Sequence, residues 1–148
     1  MDVEELARIA VDCGFRIHDD LGPGLLESVY EVVLAASLTK RGLKVDRQVP
    51  INIEYDGLVF AEGFRADLVV EGSLIIEIKC VDRLAPVHGK QMITYLRLLK
   101  QPLGLLMNFG GATFREGVKR VVNNHTDFAS SRLRVNQSAP IQVTDLAK

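Results

Sequence analysis

The sequence predicts a single α/β domain. Apolar residues recur at helical spacing through roughly the first forty positions, then alternate with polar ones from Val45. Helical spacing returns between Pro86 and Lys100, ahead of two further strand-like segments. The element order is αα-βββ-α-ββ, without internal repeats.

Asp2 followed three residues later by Glu5 is a capping-box pattern. Leu6, Ile9, Ala10, Cys13, Ile17 and Leu21 follow at helical spacing, giving a first helix over roughly 3–20. Gly22-Pro23-Gly24 breaks it, because proline restricts the residue before it and glycine permits sharp turns. A second helix runs from Leu25 to about Arg41, with Leu26, Val29, Val33, Leu34 and Leu38 as its stripe and Gly42 at C′. Val45, Val49, Ile51, Ile53 and Tyr55 alternate as a strand, and Asp56-Gly57 is a hairpin signal. Leu58 to Val70 is the second strand, bulged around Gly63, and Leu74 to Cys80 the third, after Glu71-Gly72-Ser73. Pro86 opens a third helix that ends at Gln101-Pro102. Leu103 to Phe109 is almost wholly apolar, as a strand covered on both faces should be, and the last strand lies around Val118 to Val122. Beyond Asn123 apolar residues thin out, so residues 124–148 are expected to form a loosely packed or disordered tail behind a domain of residues 1–123.

The 148 residues, 47% hydrophobic and 25% charged, suit one ordinary core. No apolar run approaches the ~20 residues of a membrane span, and the acidic start Met1-Asp2-Val3-Glu4-Glu5 does not resemble a secretory signal. A soluble, intracellular, cytoplasmic protein is expected, with no membrane partner. Cys13 and Cys80 form no metal or disulfide motif and read as reduced core residues. The net charge of −1 argues against strong nonspecific DNA binding, so nucleic acid would have to be drawn by local basic patches.

Two such patches exist: Lys40, Arg41, Lys44 and Arg47, and Arg115, Lys119 and Arg120. Solvated surface is the plain reading of either. His18 and His88 read as surface or capping residues, and His125 lies near the tail.

The third strand puts Glu77 and Lys79 on one parity and apolar residues on the other, and the second strand does the same with Arg65 and Asp67. An odd-numbered connection, such as Glu71-Gly72-Ser73, would bring Asp67 beside Glu77. Two carboxylates ~4 Å apart repel by about 4 kcal/mol at an effective dielectric of 20. They then need a shared proton, a cation such as Lys79, or a hard divalent ion, Mg²⁺ first and Mn²⁺ second. The plain alternative is a salt-bridged sheet face, with Arg65 and Lys79 neutralising Asp67 and Glu77.

Asp67 followed by Glu77-Ile78-Lys79 on the next strand resembles the active-site signature of the PD-(D/E)xK nuclease superfamily. Gly24-Leu25-Leu26-Glu27-Ser28-Val29-Tyr30 resembles the motif that names the GxxExxY protein family within it. The similarity continues through Arg65-Ala66-Asp67, Gln91 with Tyr95-Leu96, Gly104 to Gly110 and Val118-Lys119-Arg120, covering roughly residues 5–123. Ala66 stands where the signature has proline, which is no ligand. The resemblance implies a restriction-endonuclease-like core, a mixed β-sheet flanked by helices. It implies that Asp67, Glu77 and the carbonyl of Ile78 hold Mg²⁺ or Mn²⁺, with Glu27 completing the shell or holding a metal-bound water. Lys79 would orient or deprotonate the attacking water and offset transition-state charge. Gln91, Tyr95, Tyr30 and Arg65 would touch substrate or support the ligands, although Tyr30 also reads as a core aromatic with a bonded hydroxyl.

The implied activity is metal-dependent phosphodiester hydrolysis, of DNA more than RNA. The alternative is a nuclease-like fold that binds nucleic acid or protein without turnover. A short apolar strand near the sheet edge would also allow a homodimer.

Overall fold

A computed structural model describes residues 1–124 and 133–135. In chain order the elements are α1 (Val3–Leu21), α2 (Glu27–Lys40), β1 (Val45–Tyr55), β2 (Leu58–Val70), β3 (Leu74–Lys79), α3 (Pro86–Leu99), β4 (Leu103–Asn108), a 3₁₀ turn (Arg115–Gly117), β5 (Val118–Val122) and β6 (Leu133–Val135). The described strands lie in the order β5-β4-β3-β2-β1-β6. β1, β2 and β3 form an antiparallel meander, β3 and β4 run parallel, and β4 and β5 are antiparallel. The sheet is therefore mixed, with α3 as the crossover that a parallel pair requires.

Local chemistry accounts for the boundaries. The Asp2 carboxylate accepts the Glu5 N–H at 2.9 Å, satisfying one free donor at the start of α1. At the end of α2 the Gly42 N–H donates to Thr39 O at 2.9 Å and the Leu43 N–H to Leu38 O at 3.2 Å. That is a Schellman closure, with Gly42 at φ 86° and both leucines buried beneath it. Asp56 and Gly57 have φ of 50° and 84°, the type I′ combination that matches strand twist. The pairing then jumps from Ile53↔Phe60 to Ile51↔Phe64, placing the bulge at Ala61–Gly63 as expected. Pro86 opens α3, and the His88 Nδ1 accepts the Ala85 N–H at 2.9 Å, so His88 is a capping residue.

Both faces of the sheet are covered. α1 and α2 bury Leu6, Ala10, Leu34 and Leu38 against Leu68 and Ile76. On the other face α3 buries Met92 and Leu96 against Val49, Ile75 and Leu106. All six residues of β4 are buried. β5 lies outside β4, so this apolar strand is interior and the edge on which a homodimer was expected is already paired.

Two further expectations change. The stripe of α2 is rotated: Tyr30, Glu31, Leu34, Ala35 and Leu38 face inward, whereas Leu26 and Val29 are exposed. Both stripes satisfy the helical period, and the stacking of Tyr30 on Phe109 at 4.6 Å belongs to the inward one. His18 is buried, not a surface residue, with its Nε2 hydrogen-bonded to Gly111 O at 2.9 Å. Most of the expected tail, and His125 with it, lies outside the described residues; within it, Leu133–Val135 pair antiparallel with Tyr55–Ile53 of β1. Among the described residues no helix is long and apolar enough to cross a membrane.

Candidate active site

The connection between β2 and β3 is the three-residue one: Val70 pairs with Leu74, and the ladder continues to Leu68↔Ile76. One step further come Asp67 and Glu77, where the ladder stops. The Asp67 Oδ2 accepts the Ile78 N–H at 2.8 Å, and the Asp67 N–H donates to Glu77 Oε1 at 3.3 Å. Side-chain carboxylates thus replace main-chain pairing as the strands part, and each acid is oriented by the other's strand. Asp67 is half-buried and Glu77 is 7% exposed.

Among the described residues no Lys, Arg or His side chain lies within 4 Å of either carboxylate. The described ion pairs are Asp12 with Arg16 and Arg41, Glu31 with Arg47, Glu62 with Arg65, and Glu4 with Arg120. Arg65 therefore turns to Glu62 on its own strand, exposed, and neither neutralises Asp67 nor supports it. Lys79, half-buried, acts on Glu77 and Glu27 only through space. Among the described residues no ion pair joins Asp67 or Glu77 to Arg65 or Lys79, as a salt-bridged sheet face would require. Burial first, and then the charge of Asp67, push the Glu77 carboxyl up to about 9.

Glu27 enters from the first turn of α2, directly after the Gly22-Pro23-Gly24 loop. Burial and the Asp67 charge raise its pKa, while Lys79 and a hydrogen bond with the Cys80 backbone lower it. Glu27, Asp67, Glu77 and Lys79 therefore share one electrostatic neighbourhood. Tyr95 borders it from α3: burial raises its hydroxyl pKa, followed by Glu77 and Asp67. Its ring stacks on Phe64 of β2, centroids 4.0 Å apart. Gln91, one turn earlier, is exposed. Tyr30 sits beneath the loop ahead of α2. It is wholly buried, donating to Gly22 O at 2.5 Å and accepting the Leu25 N–H at 3.2 Å, so it braces the loop that launches Glu27.

Two residues of this neighbourhood escape the sequence reading. Glu31, buried on α2 one turn after Glu27, accepts from Arg47 Nε at 3.0 Å and from Gln48 Nε2 at 2.7 Å. Gln48 Nε2 also lies 3.3 Å from Asp67 Oδ1. Glu31 was discoverable, because it is four residues after Glu27 on a shared face. Of the basic patches, Arg41, Arg47 and Arg120 are engaged with acidic side chains.

Among the described residues no three His, Cys, Asp or Glu side chains group closely enough to hold a metal ion. The donor chemistry still fits a hard cation of the Mg²⁺ type. Such ions are commonly held by one or two carboxylates, with water and substrate phosphate in the other positions. Asp67 and Glu77 supply two uncompensated oxygen donors fixed at a strand gap.

Neither a curated protein nor a solved structure matches this chain. A family model described as the PD-(D/E)XK nuclease superfamily matches residues 4–121, which include Glu27, Asp67, Glu77, Lys79, Gln91 and Tyr95. That span is well over half of the 148 residues. The mixed sheet with its flanking helices is the α/β architecture expected of that fold, and the chain belongs to the PD-(D/E)XK nuclease superfamily.

Proposed function

We propose that this chain, of the GxxExxY type, is a divalent-metal-dependent nuclease that hydrolyses phosphodiesters, DNA in preference to RNA. The observation that carries the reading is the Asp67–Glu77 pair, locked into the parting of β2 and β3 with no basic side chain within 4 Å among the described residues. An acidic pair that holds a proton where a basic side chain could have sat is suited to a positive ligand.

Mg²⁺ or Mn²⁺, held by Asp67, Glu77, the Ile78 carbonyl and Glu27, would supply Lewis-acid polarisation of the phosphoryl group and a more acidic water. The chain's own residues do the rest. Lys79, two positions after Glu77 on β3, holds the attacking water and places fixed positive charge beside the developing negative charge. Glu27, on the helix side, orients that water. Tyr95 and Gln91 line the approach from α3, and Arg47, 44% exposed beside Glu31, offers a contact to a phosphate.

One observation favours a second reading, a nuclease-like module that binds nucleic acid or protein without turnover: no ready cluster of three ligands exists among the described residues. Cleavage of several DNA and RNA forms with Mg²⁺ or Mn²⁺ separates the two. The nuclease reading expects cutting by the parent chain that Asp67→Ala and Lys79→Ala both abolish. Retention of bound but uncut nucleic acid by the parent chain on every form would favour the binding module.

A further inference from the structure

The geometry points to Gln48 as a positioning residue that ties α2 to β2 and thereby sets how Glu27 and Asp67 face a common cation. This inference rests on the metal-binding reading above. Four observations converge on Gln48.

Its backbone has φ 50° inside β1, whereas the other non-glycine residues with positive φ lie at turns or a helix end: Asp56, Glu71 and Lys100. A left-handed residue within a strand is strained and persists only where its surroundings hold it.

The sheet changes faces there. Val45, Leu68 and Val70 belong to the core under α1 and α2, whereas Val49, Phe64 and Ala66 belong to the core under α3. Residues two apart in a regular strand share a face, so β1 swaps faces at Gln48 and β2 at Asp67, between the pairs Arg47↔Leu68 and Val49↔Ala66. The swap aims the Asp67 carboxylate into the parting of β2 and β3.

The Gln48 amide bridges two acids. Its Nε2 donates to Glu31 at 2.7 Å and lies 3.3 Å from Asp67 Oδ1. A neutral donor between two carboxylates links them without supplying a competing charge.

Finally, Glu31 is 5% exposed and anchored by Arg47, one helical turn from Glu27. The chain Glu27–α2–Glu31–Gln48–Asp67 thus connects the helix-borne acid to the strand-borne one. Removing Gln48 unties Asp67 from Glu31, leaving the Ile78 N–H to hold Asp67 and Arg47 to hold Glu31. Hydrogen-bonding partners of metal ligands typically govern affinity by about 10- to 100-fold.

The test is Mn²⁺ binding followed by calorimetry on the full chain, beside the melting temperature without metal. Gln48→Gly removes both the amide and the backbone strain, and Gln48→Met keeps the length but not the hydrogen bonds. The expected result is a Mn²⁺ dissociation constant raised about tenfold or more in each folded variant. With Gln48→Gly the metal-free melting temperature stays close to the parent's, because relief of strain offsets the lost bonds. Variants that fold and bind Mn²⁺ as tightly as the parent would overturn the role of Gln48 alone. A parent chain that binds no Mn²⁺ would overturn the metal reading and this inference with it. A loss of affinity that Gln48→Met shows and Gln48→Gly does not would also overturn it, since packing rather than the amide would then be at work.

Discussion

Glu77 is the residue at which burial and charge pull hardest, and pH shows the consequence. Unfolded, its carboxyl titrates near 4.5; folded and metal-free, it titrates at about 9. Between those values the folded chain keeps a proton that the unfolded chain has released. This contribution to stability is whole below the lower value and is lost as pH rises towards the upper one. Metal-free protein should therefore melt at progressively lower temperature from pH 5 to pH 9, about the span of that shift. Glu77→Gln should flatten the decline, and an unchanged slope in that variant would contradict the uncompensated pair. A divalent cation takes the place of the proton, so its stabilising effect should grow over the same range. At this scale the sequence was legible where parity and turn length decide the outcome. Asp67 and Glu77 meet because Glu71-Gly72-Ser73 is an odd connection. Arg65 was not legible, because its choice of Glu62 over Asp67 depends on the local bulge and rotamer. Gln48 was hidden for a related reason: a left-handed residue breaks the alternation from which its place would be inferred.

The helix α2 carries the larger lesson about elements. It is apolar on more than one side, with Val29 and Val32 exposed and Leu34 and Leu38 wholly buried. Periodicity cannot choose between stripes when both contain valines and leucines at helical spacing. Tertiary partners make the choice: Tyr30 against Phe109, and Glu31 against Arg47 and Gln48. Leu34→Ala should cost about 2–5 kcal/mol of stability, whereas Val29→Ala should cost less than about 0.5 kcal/mol. Denaturant melts of the two variants check this, and the opposite ranking would contradict the observed rotation of the helix. Boundaries were easier to read than faces. Gly42, Asp56-Gly57 and Pro86 each impose a backbone conformation that few alternatives share, and each ends or begins an element where expected.

For the whole molecule, the two cores on opposite sides of the sheet hold α1 to β5 together. Among the described residues β6 adds three paired residues at the outer edge of β1. We propose that residues 1–123 carry the domain, so a chain ending at Asn123 should fold with a melting temperature close to that of the full chain. A truncated chain that stays unfolded would show that the C-terminal segment contributes to the core. The overall α/β order was legible because each change of hydrophobic period coincides with a change of element. The burial of β4 on both faces was legible in its apolar run, but its place inside β5 rather than at the sheet edge was not.

The metal reading is tested most directly by the melting temperature of the full chain against Mn²⁺ concentration, in the parent and in Asp67→Ala. An ion bound to the folded state alone stabilises it by ~2.7 kcal/mol at a hundred times its dissociation constant. The parent's melting temperature should rise with Mn²⁺, and the rise should vanish in Asp67→Ala. A parent whose melting temperature does not move in millimolar Mn²⁺ would contradict the metal-dependent nuclease.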